Sequence, residues 1–246
     1  MTRQTLRRCL VVILAFGLLA GIRAEEEETA KSESKKEPGI YATLSTSSGD
    51  IEIKLHPDKA PIASETFASL AEGKREWTDP KTHQQVRRPF YDGLIFHKVI
   101  PGFMIVSGCP LGTGQGGPGF TFEDEIDPSL RFDRPGRVAL VNTPHVKSSN
   151  GSQFFITVAP APWLDGKHTI LGDVIGGMDV VEKISQSPTT GETGQLKNKP
   201  LQDIVLTKVT ITRIEPPPAP APMPARGTES SYQSETSYRM QTIRQP

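Results

Sequence analysis

The residues that decide the fold lie in three short stretches, FHKVIPGFM at 96–104, NGSQFFI at 150–156 and WLDGKH at 163–168. Short apolar runs that are bounded by Gly, Pro, Asn or Asp are typical of β-strands that alternate with turns. The first two stretches predict strands over residues 95–100, 103–106 and 154–158. The third stretch precedes another strand pattern, at residues 169–174.

Strand patterns continue on both sides of these stretches. Residues 40–44 and 51–55 have strand character, and the second segment alternates apolar and polar side chains strictly. Ser48-Gly49-Asp50 lies between them, which predicts a β-hairpin. Further strands are predicted at 137–141 and, with renewed alternation, at 204–214.

Two helices are predicted among these strands. Pro61 stands at the favoured first position of one helix, and Gly73 ends it. Its apolar face comprises Ile62, Thr66, Phe67 and Leu70. The other helix follows Gly176-Gly177 and places Met178, Val181 and Ile184 on one face. Many short strands with only two helices indicate a mainly β fold, either a barrel or a sandwich.

Composition excludes several classes of protein. The 246 residues contain 28 Lys+Arg and 28 Asp+Glu, so no basic excess is available for nucleic acid. Two cysteines, Cys9 and Cys109, rule out a disulfide-rich scaffold and a four-cysteine zinc site. The five histidines form no HxxxH or HxH pair, so no metal site is indicated. Residues 112–117 match GxGxxG but do not lead into a helix, as a nucleotide site requires.

The first 24 residues have the layout of a signal peptide. Arg3, Arg7 and Arg8 precede an unbroken apolar run at 10–20, which is shorter than the roughly 20 residues of a membrane span. We therefore expect an exported protein, periplasmic or secreted, without stable membrane insertion once the signal is cleaved. An uncleaved anchor is the alternative, because Ile22-Arg23 makes a poor cleavage site.

The rest of the chain divides into a linker, one domain and a tail. Residues 25–38 are acidic and nearly free of apolar side chains, which predicts a disordered linker. Residues 216–246 begin with a proline-rich run and predict a disordered tail. One compact domain is expected over 39–215, with residues 74–89, including Trp77, as a surface loop.

The three opening stretches resemble the signature blocks of the cyclophilins, the peptidyl-prolyl cis–trans isomerases. The blocks occur in order and at similar spacings, and the resemblance extends over residues 39–215, including the glycine-rich segment 112–119. It implies an eight-stranded antiparallel β-barrel capped by two α-helices. It also implies binding of proline-containing polypeptides, and of cyclosporin because tryptophan stands at Trp163. A monomer is expected.

The residues suit the chemistry that this family catalyses. Rotation of an X–Pro amide meets a barrier of ~18–20 kcal/mol from C–N double-bond character. A catalyst needs an apolar proline pocket and a few fixed polar groups that favour the twisted amide, and no cofactor or metal. By resemblance the catalytic residues are Lys98, Phe103, Gln153 and His168. The substrate-binding residues implied in the same way are Met104, Val106, Val141, Asn142, Phe155, Trp163 and Leu164.

Three positions depart from the family pattern. Lys98 replaces the catalytic arginine, and Val106 replaces a pocket glutamine. Val141 replaces an alanine beside Asn142, and this larger side chain predicts a narrower subsite next to the proline pocket. Lysine retains the charge but loses the planar, multiply donating guanidinium. We expect activity reduced by about 10–100-fold.

Three functions follow from these observations. The first is a prolyl isomerase that assists the folding of exported proteins. The second is a non-catalytic prolyl-peptide-binding module or chaperone, which Lys98 and Val106 favour. The third is an adaptor that acts mainly through its tail.

Overall fold

A computed structural model of the chain describes residues 36–192 and 196–216. The predicted signal peptide, most of the predicted linker and nearly all of the predicted tail lie outside these residues. The described strands are β1 Gly39–Thr46, β2 Gly49–Leu55, β3 Trp77–Thr78, β4 Gln85–Val86, β5 Leu94–Ile95, β6 Lys98–Ile100, β7 Met104–Ser107, β8 Arg137–Leu140, β9 Phe154–Thr157, β10 Ile170–Gly176 and β11 Val205–Ile214. The helices are α1 Pro61–Ala71, α2 Met178–Ser185 and a 3-10 turn at Pro162–Leu164.

Nine of the strands form one sheet, in the order β5-β11-β1-β2-β10-β8-β9-β7-β6. Neighbours in it pair antiparallel, and β1 and β2 form the predicted hairpin. The two edge strands are close in the chain, because only Phe96 and His97 separate β5 from β6. Two intervening residues span at most about 11 Å, so the sheet must curl until its edges meet.

This closure confirms the mainly β fold and refines the predicted strand count. The segment predicted as one strand over 95–100 is broken at Phe96 and His97, which are both buried. If β5 and β6 are counted as one interrupted strand, the nine-stranded sheet becomes the expected eight-stranded barrel.

Helix α1 begins at Pro61 as predicted, and Thr66, Phe67 and Leu70 of its predicted face are buried, but Ile62 is not. Ile62 is 51% exposed, whereas Ala63, Phe67 and Leu70 are buried. No side chain at the N-cap bonds to the helix. The helix is capped instead by Glu125, which is distant in sequence. Its carboxylate accepts hydrogen bonds from the N–H groups of Ile62 at 3.0 Å and Ala63 at 2.8 Å. A carboxylate at a helix N-terminus satisfies free donors and complements the helix dipole.

Helix α2 follows the predicted glycine break and packs on β2, β6 and β7. Gly177 precedes it with a φ of 76°, and a Cβ there would lie 2.1 Å from the Asp50 carbonyl oxygen. Only glycine therefore allows α2 to approach the β1–β2 hairpin so closely.

The main core is built around contacting aromatic rings. The Phe67 ring on α1 lies 4.8 Å from Tyr91 and 5.5 Å from Phe154 on β9. The series continues through Phe90 to Trp77, whose centroids are 4.8 Å apart. The prediction of a surface loop over 74–89 is therefore wrong at Trp77, which is 5% exposed. Its indole N–H donates to the Arg88 carbonyl, and the short β3–β4 pair holds it over the core.

A charged cluster links β2, β8 and β10 around Asp173. The carboxylate accepts hydrogen bonds from Arg137 at 2.9 Å and Arg134 at 3.0 Å, and lies 3.1 Å from His56 Nε2. Burial would raise the pKa of Asp173, but the His56 hydrogen bond and the Arg137 charge outweigh it and lower this pKa to about 2. Arg137 is itself only 3% exposed, and its charge is paired with Asp173 and, at 3.0 Å, with Asp133.

The cluster predicts acid-sensitive stability. A carboxylate whose pKa is lower in the folded than in the unfolded state stabilises the fold above the unfolded pKa, and this stability is lost as the pH falls toward the folded pKa. We expect Asp173→Asn to lower the free energy of unfolding at pH 7 by ~2–3 kcal/mol. The loss should shrink between about pH 5 and pH 2, as Asp173 becomes protonated in the natural protein.

Urea denaturation across this pH range measures the effect. The matched control is Asp58→Asn at an exposed turn position, which should leave the pH dependence unchanged. Parallel stability curves for the natural protein and Asp173→Asn from pH 7 to pH 2 would contradict the assignment.

Candidate active site

A cavity of about 560 Å³ opens beside the β6–β7 edge of the sheet. It brings together all but one of the site residues expected from the sequence. Those that line it are Lys98, Phe103, Met104, Val106, Val141, Gln153, Phe155, Trp163, Leu164 and His168. His97, Thr113, Gly114, Leu196 and Lys197 also line it, although the sequence did not indicate them.

The strand register explains why one wall of the cavity forms. Lys98 on β6 is paired with Val106 on β7, and Val106 is paired in turn with Phe155 on β9. The row continues to Ala139 on β8 and Ile170 on β10. Residues that face each other across adjacent strands point to the same side of a sheet. Lys98 is therefore the only polar member of an otherwise apolar row.

Aromatic packing holds the floor of the cavity in place. The Phe155 ring stacks on Phe132 with centroids 5.8 Å apart, and the His168 ring meets Phe155 edge-on at 5.3 Å. Phe132 is completely buried behind the cavity. Its backbone N–H donates to the Asp165 carboxylate at 2.7 Å. Asp165 of the WLDGKH stretch thus fixes the segment that carries Phe132, a residue that no sequence pattern indicates.

The rim carries an exposed indole. Trp163 is 58% exposed and packs on Phe103 with ring centroids 5.5 Å apart. In the part of the chain that the structure describes, its indole N–H has no hydrogen-bond acceptor. Trp163 therefore presents an apolar face and a free indole donor at the rim.

Gln153 and Cys109 both form hydrogen bonds with Gly114 and Gly116. The Gln153 side-chain amide donates to the carbonyls of Gly114 at 2.9 Å and Gly116 at 2.8 Å. The N–H groups of these two glycines donate to Cys109 Sγ, both at 3.2 Å. With both amide hydrogens engaged, Gln153 keeps its side-chain oxygen as the group available to a substrate N–H.

The environment of Cys109 also changes its acidity. Burial would raise the pKa of the thiol, but backbone N–H groups, with Gly116 the largest contributor, outweigh burial and lower the pKa below its usual value. The cysteine is 1% exposed and forms no disulfide.

Asn142 is the one predicted residue that does not line the cavity. Its side-chain amide donates to Asp124 at 3.0 Å and to the Lys167 carbonyl at 2.8 Å. Its main-chain groups make no hydrogen bond within the described residues, so contact with a substrate through the backbone stays a prediction. Asp124 also accepts a bond from the buried Asn150 at 2.9 Å, so the asparagine of the Asn150-Gly151-Ser152 glycosylation sequon is inside the fold.

Two neutral histidines and two lysines set the electrostatics of the cavity. Burial, reinforced by the charge of Lys98, lowers the pKa of His97 to about 4. Burial also lowers the pKa of His168, against opposing effects of the Leu140 carbonyl and Asp124. Both imidazoles are therefore uncharged at pH 7. The ionised groups of the lining at that pH are Lys98 and Lys197.

A second cavity of about 440 Å³ adjoins the first. It is lined by the glycine-rich segment and by residues 149 and 151–153, and it shares Val141 and Gln153 with the first cavity. Val141 is half-buried between the two, at the position where the sequence predicts a narrowed subsite.

The described residues contain no group of three or more His, Cys, Asp or Glu side chains that could hold a metal ion. Within the same residues, no helix is long and apolar enough to cross a membrane.

Comparisons with known proteins agree with this geometry. Residues 41–211 match the family model described as cyclophilin type peptidyl-prolyl cis-trans isomerase/CLD. Peptidyl-prolyl cis-trans isomerase B of Streptomyces anulatus is 48% identical over 174 residues, covering 70% of this chain and 96% of that protein. Peptidyl-prolyl cis-trans isomerase A of Mycobacterium tuberculosis is 43% identical over 173 residues, covering 70% and 91%.

A solved structure shares the fold. The crystal structure of a Cryptosporidium parvum cyclophilin type peptidyl-prolyl cis-trans isomerase, determined in the presence of the dipeptide Ala-Pro, superimposes with a TM-score of 0.60 and 30% sequence identity. The match covers 71% of this chain and 99% of that one. With its closed antiparallel sheet, its apolar cavity and these relatives, the chain belongs to the cyclophilin-type peptidyl-prolyl cis-trans isomerases.

Proposed function

We propose that this isomerase acts on exported polypeptides, and that Lys98 makes it slower than the same site with arginine would be. The observation that carries the second part is the isolation of Lys98 in its wall. Its ammonium group makes no hydrogen bond or ion pair within the described residues, and its cross-strand partner is the apolar Val106.

The reaction breaks no covalent bond, so catalysis consists of favouring the twisted amide over its planar forms. The apolar cavity accepts the proline ring against Phe155, whose position Phe132 fixes. The free oxygen of Gln153 accepts a bond from the peptide backbone. The Lys98 ammonium supplies the cationic donor that the proline nitrogen or the amide oxygen needs when resonance is lost.

Lysine performs this task less well than arginine for two physical reasons. A guanidinium presents several donors in one plane, whereas an ammonium on a flexible stem must be ordered for each bond it makes. A polar neighbour could hold the stem, but Val106 is 4% exposed and has no polar side-chain atom. The polar half of the site is therefore weakened while the apolar half is complete.

A peptide-binding module with little turnover is the second candidate, and the same two residues favour it. The apolar floor and the Trp163 rim would still retain a prolyl peptide without an effective donor at Lys98. Export rests on the charge and hydropathy of residues 1–24. The monomeric state stays a prediction.

Cyclosporin is proposed as a ligand of the same cavity. Trp163 offers both an exposed apolar face and a free indole donor at the rim. Those are the two features by which an apolar cyclic peptide with backbone carbonyls could be held.

The lysine effect is measurable by following cis-to-trans conversion of a short X–Pro peptide. We expect Lys98→Arg to raise kcat/KM by about 10-fold or more, and Val106→Gln added to it to raise kcat/KM further. Lys147→Arg, at an exposed position outside the cavity lining, is the matched control and should have no effect. A Lys98→Arg variant no faster than the natural protein would contradict the proposal, and peptide binding without acceleration in the natural protein would establish the binding module.

Export can be tested by producing the full chain in a bacterium and determining the N-terminus of the product by mass spectrometry. We expect a mature protein that begins at Glu25 and fractionates outside the cytoplasm. Leu14→Arg, which interrupts the apolar run, should retain the full-length chain in the cytoplasm. A full-length natural protein in the membrane fraction would instead favour the uncleaved anchor.

Cyclosporin binding should change the tryptophan fluorescence. Trp77 is buried away from this cavity and provides a constant background. We expect a change in the natural protein, and weaker binding with no change in Trp163→Phe. Fluorescence of the natural protein that stays the same at saturating cyclosporin would count against the ligand.

A further inference from the structure

The cavity is lined by cations that no acidic residue of the lining balances. Among the residues that the structure describes, Lys98 and Lys197 are the charged side chains of the lining at neutral pH, since His97 and His168 are uncharged and no described Asp or Glu belongs to the lining. A peptide that enters the cavity therefore meets a positive potential on the side formed by these lysines.

One backbone hydrogen bond brings the two lysines together. The Val99 N–H on β6 donates to the Asn198 carbonyl at 2.8 Å, which places Lys197 beside the strand that begins at Lys98. Asn198 is itself fixed, since it is 6% exposed and its N–H donates to the Gly191 carbonyl at 2.7 Å. Lys197 is thus presented by an anchored turn.

Neither ammonium group has an acidic partner among residues 36–192 and 196–216. Other lysines of the described residues form ion pairs, such as Lys59 with Asp127 at 3.3 Å and Lys199 with Asp203 at 3.0 Å. Lys98 and Lys197 form none there. The acid closest to Lys197 in sequence among the described residues, Glu192, accepts a 2.6 Å hydrogen bond from the Asn198 side chain.

We propose that Lys197, acting with Lys98, makes the enzyme prefer X–Pro segments that carry Asp or Glu next to the proline. Lys197 is exposed at the rim of the cavity, where the residues that flank a bound proline lie, because adjacent residues are only about 3.3–3.6 Å apart along an extended chain. A carboxylate there gains an ion pair, and a lysine or arginine is repelled. Each such interaction at a partly exposed site changes affinity by about two- to fivefold.

The preference rests on the isomerase reaction, and two sets of peptides test it. One set carries Glu, Gln or Lys before the proline, and the other carries the same residues after it. We expect kcat/KM for Glu to exceed that for Lys by about tenfold in at least one set, with Gln between them. The difference should shrink in 0.5 M NaCl, because salt screens exposed charges.

Two variants with the same change in net charge locate the effect. Lys197→Gln should reduce the Glu-to-Lys ratio of kcat/KM by about threefold. Lys208→Gln, at an exposed position of β11 outside the cavity lining, should leave the ratio unchanged. Equal kcat/KM for the Glu and Lys peptides in both sets, or an equal loss of preference in the two variants, would overturn the proposal.

Binding of the same peptides, followed by NMR titration, separates this proposal from the isomerase activity itself. Slow turnover of all peptides together with tighter binding of the Glu peptide would support the preference while counting against efficient catalysis. Normal turnover with equal dissociation constants and equal kcat/KM would overturn the preference and leave the isomerase intact.

Discussion

The structure depends on the closure of the sheet through the two buried residues Phe96 and His97. Because they join the edge strands β5 and β6, the sheet must curl, and the wall of the cavity follows from this curvature. Closure fixes Lys98 at the end of the cross-strand row. It also buries His97 directly beside Lys98, and the low dielectric around this imidazole keeps it neutral. One geometric constraint thus determines where the cationic donor stands and which neighbouring groups carry no charge.

Much of the fold was predictable because its signals are local. The β1–β2 hairpin, the start of α1 at Pro61 and the glycine break before α2 each follow from a few consecutive residues. The predictions are wrong where contacts between residues distant in sequence decide whether a side chain is buried. Ile62 has the hydrophobicity of a core residue, but Glu125 caps α1 beside it and leaves it exposed. Trp77 stands in a polar segment and is nevertheless buried, because its indole packs edge-on against Phe90 of the core.

The residues of the candidate site were likewise predictable only where the local sequence is distinctive. Its apolar residues lie in stretches whose sequence pattern is distinctive, and the structure brings them to one cavity. Phe132 and Lys197 lie in segments without such a pattern, whereas Gly114 lies in the glycine-rich segment, and each of the three is held at the site by a tertiary hydrogen bond. Asp165 holds Phe132, Gln153 holds Gly114, and Val99 holds the turn that carries Lys197. Local sequence patterns therefore indicate the apolar lining of the cavity more readily than the residues that position or surround it.

The pairing of β1 with β11 has a consequence for how the chain folds during its synthesis. The first and last strands of the domain lie side by side, and β11 also carries β5. During synthesis the hairpin β1–β2 can form early, whereas the outer edge of β1 keeps unpaired backbone groups until the final strand has emerged. Strand edges of this kind attract other extended chains. The nascent chain therefore passes through an interval in which it is most exposed to aberrant pairing, and that interval ends only when β11 has joined the sheet.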